Sequence, residues 1–339
     1  MEKRIQEKAY QLGYEKCGII PIHRLEGFKE KLEERIEKVP YSKAFYEGQR
    51  RLADVRENYP WAKAIVVLAV NYAQYKVPSE LGHRIAKAYL FDNRMNEQSS
   101  EFKMSVAMEE YLLSMGLKVA TNRNFGVTGL RWAAREASLG VVRKNNFFYT
   151  DLGSWNHLEG FLVDHEMEIM ENSEVAPCPE GCNKCIDCCP TKALIEPYTL
   201  QPMACISFLT TFGGRDLPHE ALSKQFNGCI YGCDICQNVC PMNKEKWDGT
   251  DEFPGLSELT AFLTPQNILK LSEEQYRKKI QPKFFYLSPE ELWKWKVNAL
   301  CFMRNSAPGF YKTDIQNTCF DNHPKVREMA QNICEELKY

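Results

Sequence analysis

The alternation of apolar and polar positions divides the chain into three stretches. From 1 to 170 the helical and strand periods take turns. EKRIQEKAYQLG carries apolar residues at helical spacing, and a short strand follows at CGIIPI. LEGFKEKLEERIEK is a second amphipathic helix, and AIVVLAVNYA fits a buried core strand. FKMSVAMEEYLLSMG returns to helical spacing and closes near Gly116; LKVAT is a strand; TGLRWAAREASLG is a helix closed by Gly140. NNFFYT and HLEGFLVDHEMEI read as paired strands around a turn at DLGSW. This pattern predicts a mixed fold, α/β with α+β features.

From 171 to 250 the periodicity stops. This stretch is rich in turn residues and holds ten of the 14 cysteines. It cannot build an apolar core of its own, so something inorganic must hold it together. From 251 to 339 the helical period returns in SELTAFLTPQNILKLS, SPEELWKWKVNALCFMR and HPKVREMAQNICEELKY. The last has a proline near its start, where a helix accepts one. The three resemble a short, irregular helical-repeat tail without a clean period.

The composition adds little. The 339 residues carry a net charge of -2, which argues against bulk nucleic-acid binding but leaves room for a local basic patch. YRKKIQPK, Tyr276 to Lys283, is one such patch, or an ordinary solvated charge run. The N-terminus has no apolar leader, and no stretch is long enough to span a membrane. The expected compartment is the cytoplasm, where clustered thiols are metal ligands more often than disulfides.

The cysteine spacing is the strongest signal. The first run is Cys178-x3-Cys182-x2-Cys185-x3-Cys189-Pro190, and the second is Cys233-x2-Cys236-x3-Cys240-Pro241. Two-cluster bacterial ferredoxins use C-x2-C-x2-C-x3-C-P, in which the cysteine before proline ligates the other cluster. By that rule one [4Fe-4S] cluster takes Cys178, Cys182, Cys185 and Cys240. The other takes Cys189, Cys233, Cys236 and a fourth thiol from Cys205, Cys229 or Cys188. Structural zinc also uses C-x2-C pairs, but it does not need the C-x3-C-P ending that occurs twice here. Cys17, Cys301, Cys319 and Cys334 read as small buried hydrophobes. There is no GxGxxG, no D-x-H-x-x-G, and no paired histidine motif. The six histidines read as surface or capping residues.

IEPYTLQPMACISFLT, IYGCDICQNVCPMNK, REASLGVVRKN and LGSW closely resemble stretches of epoxyqueuosine reductases. The resemblance implies an oxidoreductase that passes electrons through two [4Fe-4S] clusters to the Co(I) state of cobalamin and reduces epoxyqueuosine in tRNA to queuosine. It implies a cobalamin-binding α/β domain like that of nitroreductase and cobalamin-processing proteins at 1–170. A ferredoxin-like module at 171–250 and a helical tail at 251–339 would follow. It makes Cys205 the eighth cluster ligand, with Cys188 and Cys229 as bystanders. Arg131 becomes a catalytic and cofactor-binding residue, with Ser154 and Trp155 of LGSW beside the cofactor. The expected partners are a ferredoxin- or flavodoxin-type electron donor and tRNA, and the expected state is a monomer outside the membrane.

The chain departs from the family on the substrate side. Seven residues before Arg131, where the family carries a proton-donating aspartate, stands Asn124, and an amide cannot deliver a proton as a carboxylic acid can. The family's Asp-Tyr-His segment is replaced by LFDNRMNEQSSEF, and the tail is shorter. Three alternatives follow: a diverged paralog with a different, small substrate, in the manner of reductive dehalogenases; an electron-transfer or corrinoid-reducing partner without catalysis; or bland roles. In the last, Arg131 pairs with Glu136 and Asn124 serves a turn.

Overall fold

A computed structural model describes residues 1–171, 173–212 and 220–339. Its centre is a four-stranded antiparallel sheet in the order β1-β2-β6-β3. Helix α1 (Glu2–Leu12) leads into β1 (Lys16–Pro21), and α2 (Gly27–Lys38) follows. Strand β2 (Ala64–Asn71) is buried almost throughout, since one strand pairs along each of its edges and helices cover both faces. Next come α3 (Ser100–Ser114), β3 (Val119–Thr121) and α4 (Leu130–Glu136). The hairpin of β4 (Val141–Val142) and β5 (Phe148–Tyr149) then precedes β6 (Asn156–Val163).

One sheet face packs on α1 and α3 around Ile5, Met108, Leu112 and Phe161. The other packs on α4 through Ala133, Ala134 and Ala137. Helix α4 sits close because β6 carries glycine beneath it. A Cβ on Gly160 would come 2.8 Å from Leu130.

Two sequence expectations need correction. NNFFYT does not pair with HLEGFLV: β5 pairs with β4, while β6 lies between β2 and β3. β6 pairs with β2 along its whole length and with β3 only at Phe161–Val163, while the hairpin pairs only with itself. Gly140 does not cap α4, which ends at Glu136 with the turn taken by Ser138 at φ 56°. Gly140 instead permits backbone contact, since a Cβ there would lie 2.0 Å from the Tyr149 carbonyl oxygen.

In the cysteine-rich stretch two four-residue helices, α5 (Lys184–Asp187) and α6 (Ile235–Asn238), occupy matching places in the two runs. The C-terminal region adds α7 (Leu292–Ser306), α8 (Lys312–Thr318) and α9 (Pro324–Leu337). The predicted helix at SELTAFLTPQNILKLS is two short helices, divided where Thr264 caps a new start at Pro265. Helix α7 is buried on nearly all sides. Its Trp295 stacks on Tyr231 at 4.6 Å, and Asn298 Nδ2 donates to the Thr210 carbonyl at 3.0 Å. One core therefore joins residues 72–91, much of the cysteine-rich stretch and the tail.

Candidate functional site

The two cysteine runs fold so that each contributes thiols to two separate cavities. Cys178, Cys182, Cys185 and Cys240 line an outer one, with Lys144 and Pro179. Cys189, Cys205, Cys233 and Cys236 line an inner one of about 350 Å³. Proline explains the crossing. Pro241 holds Cys240 extended (φ -69°, ψ 121°) just past α6, so the chain leaves the second run there and the thiol joins the first. Cys205 is likewise extended, at the start of the helix Ile206–Thr210.

The thiols crowd one another. Burial pushes Cys185 up to about 11, and the nearby Cys240 and Cys178 add to this. Cys205 rises to about 11 through burial, with Cys233 and Cys189 close by. Cys236 rises further through burial and the neighbouring Cys233, Cys205 and Cys189. Arg143, Lys144 and Lys184 also line the outer cavity, and the Lys144 ammonium donates to the Cys182 carbonyl (2.8 Å) and Asn183 (3.2 Å). Iron would reverse the balance, because a coordinated thiol is deprotonated outright. Among the described residues no three Cys, His, Asp or Glu converge as ligands of a single ion do. Four thiols spread around a cavity suit a cluster better than one zinc ion. Cys188 and Cys229 line neither cavity. The Cys188 thiol faces the Cys185 carbonyl at 3.4 Å, and Cys229 is buried in the core beside Cys233.

The inner cavity shares Arg35, Phe45, Tyr46, Arg131, Asn146 and Phe147 with a cleft of about 650 Å³. Its walls come from α2, α4, the β4–β5 hairpin and β6. Lys31, Arg35, Lys38, Arg94, Arg131 and Arg135 face it against the single carboxylate of Glu34, so it favours an anionic or strongly polar occupant. Arg131 donates to the Asn146 carbonyl, not to Glu136, which pairs with Arg135. Enclosure by the walls, with Arg35 alongside, lowers Arg131 to about 10, so it stays charged at neutral pH. Its surface area is nonetheless open to the cleft. Asn146 Nδ2 is buried without a partner.

Ser154 also reaches this wall, but its hydroxyl donates to Gln237 (2.7 Å) and accepts from Asn243 (2.8 Å), clamping β6 to the cysteine-rich stretch. Trp155 lies behind, buried edge-on against Trp247 with the Lys87 ammonium 4.0 Å from its ring.

Beyond the cleft, past Arg94, Phe125, Leu130, His157 and Leu158, opens a smaller pocket of about 260 Å³. Asn124 lines it with a buried, unpartnered Oδ1. The turn is held by Asn122, whose Oδ1 accepts from the Asn124 and Phe125 amides at 3.1 and 3.0 Å. His157 corrects the surface-or-capping reading of the histidines: it stands at the neck with Nε2 buried and unpartnered, its ring 4.6 Å from that of Tyr72 and tilted 34° to it. Burial pulls it down to about 4. His323 occupies the N-cap position of α9, but its ring makes no capping hydrogen bond and stacks on Trp293 instead. Burial alone would raise Asp92, yet Arg94 at 2.9 Å, His157 and Lys283 hold it below the usual carboxylate range. Lys283 belongs to the basic run, but it points inward to the Asp92 carbonyl and Asn93 (both 2.9 Å), while Arg277, Lys278 and Lys279 stay exposed. Sequence spacing gave no sign that Asp92 and Arg94 of one loop would meet His157 and Glu159 of β6.

Residues 178–243 match the family model of a 4Fe-4S double cluster binding domain. Fold and site together define an iron–sulfur protein whose inner cluster cavity opens into a cleft of an α/β region. Epoxyqueuosine reductase of Prochlorococcus marinus is 27% identical over 325 residues, covering 88% of this chain and 96% of that protein, and that of Escherichia coli is 35% identical over 153 residues, covering 41% and 38%. The solved epoxyqueuosine reductase of Streptococcus thermophilus superposes with a TM-score of 0.76 at 20% identity, over 98% of this chain and 89% of that one. A second, solved with a tRNA stem loop carrying epoxyqueuosine, gives 0.73 at 21% identity, over 97% and 88%. The chain is thus similar to epoxyqueuosine reductases along most of its length and shares their fold.

Proposed function

We propose that this protein reduces epoxyqueuosine in tRNA to queuosine, with electrons entering at the outer cluster and leaving through the inner one. The observation that carries this reading is the continuity of three cavities. The inner cysteine cavity, the basic cleft and the small pocket share walls in that order. This arrangement disfavours a bare electron-transfer partner, which would need neither cleft nor pocket. A ferredoxin- or flavodoxin-type donor would load the outer cluster, near the surface.

Cys178, Cys182, Cys185 and Cys240 would hold one [4Fe-4S] cluster, and Cys189, Cys205, Cys233 and Cys236 the other. Cobalamin would sit in the cleft, where Arg131, Arg35 and the unpartnered Asn146 amide offer donors to its amide-rich rim and its phosphate. Bound there, it supplies a low-valent metal centre that accepts electrons from the cluster and reduces the substrate. The protein's own residues orient that group and exclude water. His157 at the neck, neutral above about pH 4, presents an unpaired ring nitrogen. Region 1–170 would hold the cofactor and 171–250 the clusters. Region 251–339 would buttress the pocket through Lys283 and Tyr286, and Arg277, Lys278 and Lys279 would meet RNA phosphates.

The test is anaerobic purification, loading with cobalamin and a low-potential reductant, and incubation with tRNA from cells lacking the last step to queuosine. Nucleoside mass spectrometry should show epoxyqueuosine converted. If the loaded protein leaves it unchanged and instead reduces a small halogenated or epoxide substrate, the paralog reading replaces this one.

A further inference from the structure

Taking the oxygen from an epoxide to leave an alkene consumes two electrons and two protons, and the oxygen departs as water. The pocket must therefore contain an acid. Asn124 has no acidic proton to give. Asp92 is held by groups that only donate, the Arg94 guanidinium at 2.9 Å and the Arg94 backbone N–H at 3.2 Å, with the Lys283 ammonium nearby. A carboxyl held that way is fixed as carboxylate and has no proton to spare. His157 is neutral, and its ring donates to the Phe91 backbone.

We propose that Glu159, on β6 two residues beyond His157, is the acid that protonates the substrate oxygen in this pocket. The inference rests on the proposed reduction of an epoxide. Glu159 lines the same pocket as Asn124. Both of its oxygens are met by hydroxyls: Tyr14 donates to Oε2 at 2.6 Å, and Ser105 of α3 donates to Oε1. A hydroxyl can turn from donor to acceptor, so this pair can hold the carboxyl in either protonation state. Guanidinium and ammonium groups cannot do so, and that separates Glu159 from Asp92. The nearest guanidinium, Arg123, spends its donors on Ser105 (2.6 Å) and on Glu109. Burial raises Glu159 above the ordinary carboxyl range, against the pull of Ser105, Tyr14, Arg123 and Arg94. The other charged group lining the pocket is Glu101, on the first turn of α3.

As the first carbon–oxygen bond breaks, Glu159 passes its proton to the oxygen and becomes a carboxylate. Both electrons would come from the external low-potential donor, by way of the clusters that the eight cysteines would hold. The second proton comes from solvent, the second carbon–oxygen bond breaks, and water leaves. Solvent then reprotonates Glu159.

Two measurements test this. The first compares wild type, Glu159→Gln and Glu159→Asp as loaded, cluster-containing proteins on epoxyqueuosine tRNA. Glu159→Gln should lower kcat by about a hundredfold or more, with KM and iron content unchanged, as loss of a general acid does. Wild-type kcat should fall as pH rises through the Glu159 titration, Glu159→Gln should lose that limb, and Glu159→Asp should recover part of the rate and the limb. If Glu159→Gln keeps wild-type kcat and the same pH limb, the assignment is wrong. The second measurement needs no turnover. Infrared titration of the holoprotein, with Glu159→Gln as the difference reference, should show a protonated carboxyl persisting well above the ordinary value of about 4.3. A Glu159 fully ionised by that point overturns the assignment; if Glu159→Gln fails to fold, Glu159→Asp serves as the difference reference, its carboxyl band displaced from the wild-type one. Absence of wild-type turnover, by contrast, counts against the substrate reading and leaves the infrared result to judge Glu159.

Discussion

Replacing Cys205 and Cys229 by alanine, one at a time, separates a cluster ligand from a core thiol close to the same cavity. Cys205 lines the inner cavity with Cys189, Cys233 and Cys236. Cys229 is 3% exposed, lies against Cys233, and faces no cavity. Cys205→Ala takes away one of four thiols. A cluster left with three ligands should be lost on purification, so iron should fall from about eight to about four atoms per chain. Cys229→Ala removes one buried atom from a packed core. Its cost is packing, on the order of 1 kcal/mol, and its iron content should stay at about eight. The assay is anaerobic purification with iron and sulfide analysis, followed by electron paramagnetic resonance of the reduced proteins. The reduced wild type should show two coupled centres and Cys205→Ala one isolated centre. If Cys229→Ala loses four irons while Cys205→Ala keeps all eight, the ligand set is wrong. Stoichiometric zinc in the wild type would remove its basis altogether.

Gly140→Ala should be strongly destabilising, at or above the upper end of the ~1–3 kcal/mol usual for overpacking, because its Cβ meets the Tyr149 carbonyl oxygen at 2.0 Å. Tyr149 is hydrogen-bonded to Cys240, so a lower thermal midpoint should come with partial iron loss. Ser154→Ala should cost ~1–3 kcal/mol in denaturant unfolding while sparing the iron, since it strands the buried Gln237 Oε1. His157 makes stability depend on pH. Its folded pKa of about 4 lies below the unfolded value of about 6.5, so between these values the unfolded chain binds the extra proton. Stability should therefore fall as pH drops through that window, by at most about 1.4 kcal/mol per pH unit, and His157→Gln should flatten the slope. An unchanged slope in His157→Gln, measured by urea unfolding at a series of pH values, would count against the buried neutral imidazole.

The elements that could be read from the sequence are those whose local pattern and tertiary setting agree. The continuous apolar run Ala64–Val70 could only be an interior strand, and the helical spacing around Met108 and Leu112 shows which face of α3 is buried. The hairpin was misread because neighbouring strands usually pair. Here β5 folds back on β4, and β6 instead pairs with β2 and, at Phe161–Val163, with β3, 35 residues earlier by number. The end of α4 was misread because Gly140 looks like a cap, whereas a contact with another strand demands the glycine.

The same division holds at the site. Sequence spacing by itself grouped seven of the cysteines, because ligands of such clusters come from short loops and the thiol before each proline crosses to the other set. The eighth, Cys205, was one of three candidates and rests on the family resemblance; the tertiary structure lines the two cavities with these eight thiols. The substrate side was decided by tertiary structure alone. Asp92, Lys283 and the β6 pair His157 and Glu159 come from three separate segments, and no spacing rule links those segments. Whether a carboxyl there keeps its proton depends on whether hydroxyls or cations surround it. That choice is made only when α3, β6 and the C-terminal region close around one pocket.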